Sequence, residues 1–168
     1  VAGTYNYTIT VTNAAGVTAT STKQVVVENL PTFTDFTVNG QQTITVAPSS
    51  SLNFIGAGFS TGATLQGRNS AGTANATLPT VASSTAGTTS YYAAAVKTIN
   101  GVTNYSGIKT VSVVVVDAPT ITSVTAPSSV FANAAFTMSW AGSNTVNYTI
   151  KSNNAASGIP TSEVDLDN

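Results

Sequence analysis

The sequence predicts an all-β fold built from consecutive β-sandwich modules. Polar and apolar residues alternate over long stretches, which is typical of half-buried strands, and no stretch shows a sustained helical period with caps. Clusters of Asn, Gly, Ser and Pro separate these stretches, as turns separate short strands. The same pattern returns after 86 to 88 positions, so we expect more than one module.

The first predicted element is a hairpin over residues 1–28. Its opening strand places apolar side chains on one face and Asn or Thr on the other, so we expect this strand to be half-buried. The apolar set is Tyr5, Tyr7, Ile9 and Val11. The stretch NAAG at 13–16 then turns the chain, and residues 17–27 return as the partner strand. We interpret this hairpin as the end of a sandwich module.

A sequence repeat supports this interpretation. The stretch TKQVVVENLPTF at 22–33 matches IKTVSVVVVDAPTI at 108–121, and this match places Pro31 and Pro119 88 positions apart. The spacing fits an immunoglobulin-like sandwich of about 100 residues. Both prolines lie in short joints, where a fixed φ angle favours a stiff connection over a flexible linker.

The repeat also predicts the domain boundaries. Downstream of the joints, APSSSLNFIGAG at 47–58 pairs with ANAAFTMSWAG at 132–142. The chain is therefore predicted to hold the end of one module, a complete immunoglobulin-like module and the first part of a further module, at residues 1–28, 29–116 and 117–168.

The two ends of the chain carry a family resemblance. The stretch APTITSVTAPSSVFANAAFTMSWAGSNTVNYTI, followed by GTYNYTITVTNAAGVTATSTKQVVV, resembles the beginning and end of the bacterial Ig-like and PKD-like repeats of secreted and cell-surface proteins. In that family a tryptophan sits in the core, and Trp140 stands at the matching position. In the middle module, Ile55 lies near the place where this tryptophan is expected. The resemblance implies a spacer or adhesive surface module and not an enzyme.

Charge is scarce in this chain. Only 7% of its residues are charged, against roughly 25% in an ordinary domain, and Thr, Ser and Asn take the place of the missing charges. With a net charge of −1 and scattered basic residues, we expect no binding to nucleic acid and no membrane insertion. The first residues do not match a signal peptide, so we expect a mature or internal piece.

Reactive side chains are also scarce. The chain contains no cysteine and no histidine, and it has no carboxylate between Asp35 and Asp117. The predicted complete module therefore has neither an acid/base pair nor a partner that could activate one of its many hydroxyl groups. We predict that the chain is not an enzyme and holds no organic cofactor.

The last residues contain the one concentration of acidic side chains. In SEVDLDN, three carboxylates alternate and would share one face of a strand, which makes a candidate Ca²⁺ site of Glu163, Asp165 and Asp167. Calcium needs six to eight oxygen ligands, so further carbonyl or side-chain oxygens would have to contribute. The alternative is a solvated terminal strand or tail, and we favour it.

Aromatic residues give a second candidate site. Tyrosines on a sheet face can stack on sugar rings, and three of them fall in the last predicted hairpin of the middle module: Tyr91, Tyr92 and Tyr105. Because adjacent strand residues face opposite ways, we expect one of the first two in the core and the other exposed. Packing is the more frequent role for such residues. Four further aromatic or sulfur side chains are predicted to be core: Phe54, Phe136, Met138 and Trp140.

These patterns favour a structural role outside the cell. We expect a spacer and adhesion or assembly module of a bacterial or phage surface protein, filament or virion appendage. Its expected partners are neighbouring modules or copies of itself, with surface glycans or a protein receptor as further possibilities. The alternative is a carbohydrate-binding or accessory module attached to a secreted enzyme. Residues 1–28 and 117–168 could also complete each other between copies by strand exchange, although the simpler interpretation is a segment cut from a longer repeat protein.

Overall fold

The protein is all-β, as the sequence predicts. A computed structural model describes residues 1–153, residue 162 and residues 164–166, and it contains no helix in those residues. The strands are β1 (Gly3–Thr12), β2 (Thr18–Val27), β3 (Asp35–Val38), β4 (Thr43–Val46), β5 (Phe54–Ala57), β6 (Thr64–Arg68), β7 (Gly87–Ile99), β8 (Val102–Tyr105), β9 (Lys109–Val115), β10 (Thr120–Thr125), β11 (Ser139–Ser143), β12 (Tyr148–Ile150) and β13 (Val164–Leu166).

The strands form several sheets. The largest has the strand order β4-β9-β7-β6, with β8 paired to β7, and the others in the described residues are pairs: β1-β2, β3-β5, β10-β11 and β12-β13. Strands β7 and β8 join through the two-residue turn Asn100-Gly101, with φ angles of 49° and 79°. Left-handed conformations at both turn positions match the twist of the flanking strands, which explains the Asn-Gly sequence.

The chain divides into two compact units. Unit 1 comprises Val1–Ile44, Leu52–Thr80 and Thr89–Val113, and unit 2 comprises Thr45–Ser51, Val81–Thr88 and Val114–Asn168. Within unit 2, the backbone N–H groups of Ser49 and Ala82 donate to the carbonyls of Ser83 and Ser50 at 3.1 and 2.8 Å. The predicted domain boundaries after residues 28 and 116 stay predictions.

Strands β3 to β9 form a sandwich-like arrangement, which we call the central sandwich. Its β3-β5 sheet meets the larger sheet where the Phe54 ring lies edge-on to Tyr91, with centroids 5.0 Å apart. The buried apolar residues of this core in unit 1 are Phe33, Phe36, Val38, Ile44, Leu52, Ala93, Ala94, Ala95, Val111 and Val113. The three alanines let β7 pack closely on both faces, because a methyl group fills little space.

Strands β1 and β2 form a long two-stranded hairpin, which we call the ribbon. The predicted hairpin is present, but the prediction that its first strand is half-buried is wrong: every residue of both strands is exposed. The reason is that the ribbon is a sheet of two strands in the described structure, with no further strand bonded to it. Alternation creates an apolar face, and burial of that face requires a second layer.

Strands β10 to β13 belong to unit 2. Trp140 in β11 is 38% exposed and Phe136 is 45% exposed, so the prediction that both are core is wrong in this structure, whereas Phe54 and Met138 are half-buried. Trp140 has a neighbouring ring, Tyr148, at 6.3 Å. In the described residues β10 and β11 form only a two-stranded sheet, so the tryptophan lacks the cover that a sandwich core would give it.

Candidate interaction surfaces

The ribbon has one apolar face and one polar face. Directly opposite residues share a face, and the cross-strand pairs on the apolar face are Tyr5–Val25, Tyr7–Lys23, Ile9–Ser21 and Val11–Ala19. On the other face Thr8 and Thr22 hydroxyls are hydrogen-bonded at 2.9 Å, and the Gln24 amide donates to the Asn6 carbonyl oxygen at 3.3 Å. The pair Gly3–Val27 lies on the apolar face as well. The apolar face is exposed, with Ile9 at 69%.

The ribbon is held at its base by polar contacts. The Lys97 ammonium of β7 forms an ion pair with the Glu28 carboxylate just after β2. A shallow groove surrounds the pair, lined in part by Ala2, Leu30 and Ser60. Such a partly exposed pair contributes up to about 1 kcal/mol to the free energy of unfolding, so its main effect is to restrict the orientation of the ribbon relative to β7.

A second apolar surface lies on strands β10 to β12. It is a cleft of about 130 Å³, which we call the apolar cleft, lined by Ile121, Val124, Met138, Trp140, Tyr148, Thr149 and Ile150. Val124 is 60% exposed and lies directly opposite Trp140 in the β10-β11 pair. The Tyr148 hydroxyl accepts a hydrogen bond from the Thr145 hydroxyl at 3.1 Å, which fixes the ring at one wall.

The apolar cleft has a counterpart in the central sandwich. In the β3-β5 pair Phe36 lies opposite Gly56, and in the β10-β11 pair Val124 lies opposite Trp140. The residues on either side of each pair also correspond, because Thr37 faces Ile55 as Thr125 faces Ser139. From Ser123 to Thr125, beyond a register shift in β10, both strand pairs therefore use one relative register, at spacings of 88 and 84 residues in the sequence.

This register places Gly56, and not Ile55, at the position that corresponds to Trp140. A Cβ atom on Gly56 would lie 2.5 Å from Cζ of Phe59 and 2.9 Å from Cδ1 of Leu65. Phe59 in turn stacks on Phe33 with ring centroids 5.6 Å apart. The Phe59 ring thus lies where a side chain at this position would extend. Sequence comparison missed this because Phe59 comes from the following loop.

The ribbon also has a counterpart in the central sandwich. Gly16 and Gly101, 85 residues apart, both have a φ of 79° in the turn that ends the first strand of each hairpin. Val25 and Val27 of β2 correspond to Val111 and Val113 of β9 at a spacing of 86 residues. In the central sandwich those two valines are buried.

The three candidate tyrosines are all half-buried, so the prediction that one of Tyr91 and Tyr92 is in the core and the other exposed is wrong. Tyr91 packs against Phe54 between the two sheets, and Tyr92 lies opposite Arg68 in the β6-β7 pair. The Tyr105 ring carries the Arg68 guanidinium carbon 3.9 Å from its centroid, and its hydroxyl donates to Asn75 at 3.4 Å. The structure therefore does not bring the three rings together as one open platform.

Arg68 is a residue that sequence reasoning missed. It is only 6% exposed, its Nε donates to the Gly72 carbonyl at 3.1 Å, and its guanidinium also donates to the Asn75 side chain. A buried arginine is stable only with its charge and donors satisfied, and the Tyr105 ring and these oxygens do so. Lys109 has a similar place, 5.6 Å above the Phe33 ring. An isolated arginine in a neutral stretch was the available signal.

The candidate Ca²⁺ site falls largely outside the described residues. Glu163 and Asp167 are among the residues that the structure does not describe, and Asp165 is described only as the strand residue opposite Thr149. Among the described residues, no group of three or more His, Cys, Asp or Glu side chains is placed to hold a metal ion. The site stays a prediction.

Comparison with known proteins gives no relative. No family model, no curated protein and no solved structure matches this chain. In the residues that the structure describes, no helix has the length and hydropathy needed to cross a bilayer.

Proposed function

We propose that this chain is a non-enzymatic segment of tandem immunoglobulin-like modules that serves as a spacer and assembly module. The observation that carries the proposal is the shared register, in which Phe36 faces Gly56 and Val124 faces Trp140. Consecutive copies of one module are expected to repeat their strand pairing. A string of such modules sets a distance between the parts that it connects.

The contacts around the first joint support a spacer. Pro31 is buried, the Thr32 N–H donates to the Ser60 hydroxyl at 3.0 Å, and the Lys97–Glu28 ion pair lies beside the end of the ribbon. A fixed proline φ angle and these polar contacts restrict bending between the ribbon and the central sandwich. A stiff joint transmits length and force, whereas a flexible linker would absorb them.

The surface chemistry supports a place outside the cell, on a bacterial or phage surface structure. The polar face of the ribbon consists of Thr, Asn and Gln with a single valine. The chain has only five basic residues, and Arg68, Lys97 and Lys109 take part in internal contacts. A neutral hydroxyl-rich surface is insensitive to salt and offers few sites to trypsin-like proteases. With so little charge repulsion, these modules suit an assembly in which neighbours cover part of each surface.

The geometry favours a spacer over the glycan-binding alternative. A sugar platform needs an open ring face, and one face of Tyr105 is occupied by Arg68 while Tyr91 is packed on Phe54. The alternative predicts a glycan-array signal that Tyr105→Ala abolishes. The spacer proposal predicts no signal for either protein.

Force spectroscopy on single molecules tests the spacer proposal. The chain is held by its two ends and stretched at constant speed. We expect one dominant unfolding event from the central sandwich, with a length gain of roughly 30 nm for the segment 29–116 at about 3.4 Å per residue. Extension without a discrete event would contradict the proposal, because a module that yields continuously cannot maintain a spacing.

A further inference from the structure

We propose that the ribbon of one copy of this chain docks on the apolar cleft of a second copy and completes a sandwich there. The inference rests on the repeat organisation proposed above. Its first support is that both surfaces are apolar and uncovered in the same structure, with Ile9 at 69% and Val124 at 60% exposure. Contiguous apolar side chains left exposed on a sheet face are typical of an interaction site.

The central sandwich shows what covers the counterpart of the cleft. Its β3-β5 pair, which shares the register of β10-β11, is covered by the larger sheet through the contact of Phe54 with Tyr91. That sheet contains β7 and β9, and the β9 residues Val111 and Val113 are each 1% exposed. The β3-β5 pair is therefore covered by a sheet in which a strand such as β9 presents buried valines.

The ribbon contains a strand, β2, with the same valine pattern as β9. Val25 and Val27 of β2 stand where β9 has Val111 and Val113, and they are 42% and 40% exposed. The ribbon thus presents, without a partner layer, the residues that the central sandwich uses to cover its own strand pair. Its docking on β10 and β11 would bury both apolar faces at once, which is the favourable term in strand-addition complexes.

The one charge on the apolar face of the ribbon is compatible with this docking. Lys23 corresponds to Lys109, whose ammonium lies 5.6 Å from the centroid of the Phe33 ring. Phe33 in turn corresponds to Ile121 at the cleft, 88 residues later. A lysine in this place lays its methylene groups on an apolar side chain and keeps its ammonium at the edge, so no buried charge results.

The test is the association of the complete 168-residue chain, followed by sedimentation velocity from about 1 to about 100 µM. We expect dimers or longer head-to-tail species that grow with concentration, because the contact joins two different surfaces. Ile9→Lys on the ribbon and Val124→Lys on the cleft should each weaken association at least about tenfold, since each places a charge in the contact. The controls Thr8→Lys and Ser123→Lys add the same charge on the opposite faces, and their association should stay within about twofold of the parent chain.

A mixing experiment identifies the two partners. The Ile9→Lys chain keeps an intact cleft and the Val124→Lys chain keeps an intact ribbon, so an equimolar mixture should form a one-to-one complex at concentrations where each variant alone no longer associates. All four substituted residues are exposed, and circular dichroism melts of the variants should match the parent chain.

Several results would overturn the inference. A strict monomer over the whole concentration range would do so, as would loss of association in only one of the two interface variants, which would mean ribbon–ribbon or cleft–cleft contact. A mixture that stays monomeric would also overturn it, because the mixture still supplies one intact ribbon and one intact cleft. None of these results bears on the unfolding of single molecules, so the spacer proposal is tested separately.

Discussion

Two strands with the same residue pattern have opposite environments in this molecule. In β9 the side chains of Val111 and Val113 are 1% exposed, whereas their counterparts Val25 and Val27 in β2 are exposed. The residue types and their spacing agree, so local preference does not explain the difference. It arises because β9 has a neighbouring sheet across its inner face and β2 does not.

Strands β3 and β10 show the same contrast in burial. Phe36 in β3 is fully buried, and Val124, which has the same register position in β10, is 60% exposed. The central sandwich thus has a buried core, while the ribbon and the apolar cleft each present an exposed apolar face. Alternation along a strand specifies which face is apolar, and the supply of a second layer decides whether that face is buried.

The largest expected effect comes from removing the ring at the centre of the finished core. Phe36→Ala should lower the free energy of unfolding by about 3–5 kcal/mol, because it deletes a fully buried ring and leaves a cavity. Val124→Ala, at the same register position, should change it by less than about 0.5 kcal/mol in a dilute sample. Urea unfolding followed by circular dichroism measures both. Equal effects would mean that the two positions do not differ in cover.

The next effect concerns the cations. Arg68→Ala should destabilise the protein by about 2 kcal/mol, because it leaves the Asn75 and Gly72 acceptors without their donor and uncovers Tyr105. Lys23→Ala, on the exposed ribbon, should have almost no effect. Thermal melts compare the two, and Arg68→Lys serves as the control, since an ammonium cannot reproduce the forked donor geometry. Full stability of Arg68→Lys would argue against that geometry as the cause.

A smaller effect is expected at Gly56, where the β3-β5 pair differs from the β10-β11 pair. Gly56→Ala should lower the free energy of unfolding by about 1–2 kcal/mol, because its Cβ would collide with the Phe59 ring, which would have to shift out of its stack on Phe33. Gly107→Ala is the matched control, since a Cβ there would meet no atom within 4 Å. The measurement is the urea midpoint of each variant. A neutral Gly56→Ala would show that the ring of Phe59 moves freely.

The smallest effect is expected from pH. The chain has no histidine and no cysteine, so no side chain of a type that ordinarily titrates near neutrality is present. The melting temperature should therefore change by less than about 2 °C between pH 5 and pH 8. Scanning calorimetry in buffers of equal ionic strength measures it, and a steep slope in this window would contradict the expectation.

The sequence predicts the local structure of this chain well and its burial less well. The alternation from Tyr5 to Val11 predicts the first strand and its two faces, and both are present. The cover of that face could not be predicted, because it depends on strands far away in sequence or in another molecule. The same reason explains why Trp140, a core residue by its type and position, is 38% exposed.

The candidate sites differ in a similar way. That Tyr91 and Tyr92 take different surroundings follows from strand geometry, and the structure gives one Phe54 and the other Arg68 as a neighbour. The contact of Arg68 with Tyr105 could not be predicted, since the two residues meet only after β6, β7 and β8 have paired. Pairing between distant strands carries information that no local pattern contains.

Amide hydrogen exchange in a dilute sample tests most directly whether the strands of the central sandwich are covered while those of the ribbon are not. The N–H groups of Val111 and Val113 should exchange at least roughly a thousandfold more slowly than those of Val25 and Val27, because the former open only when the core unfolds. Equal protection of the two valine pairs in the dilute chain would contradict the account, since β2 would then have a cover of its own.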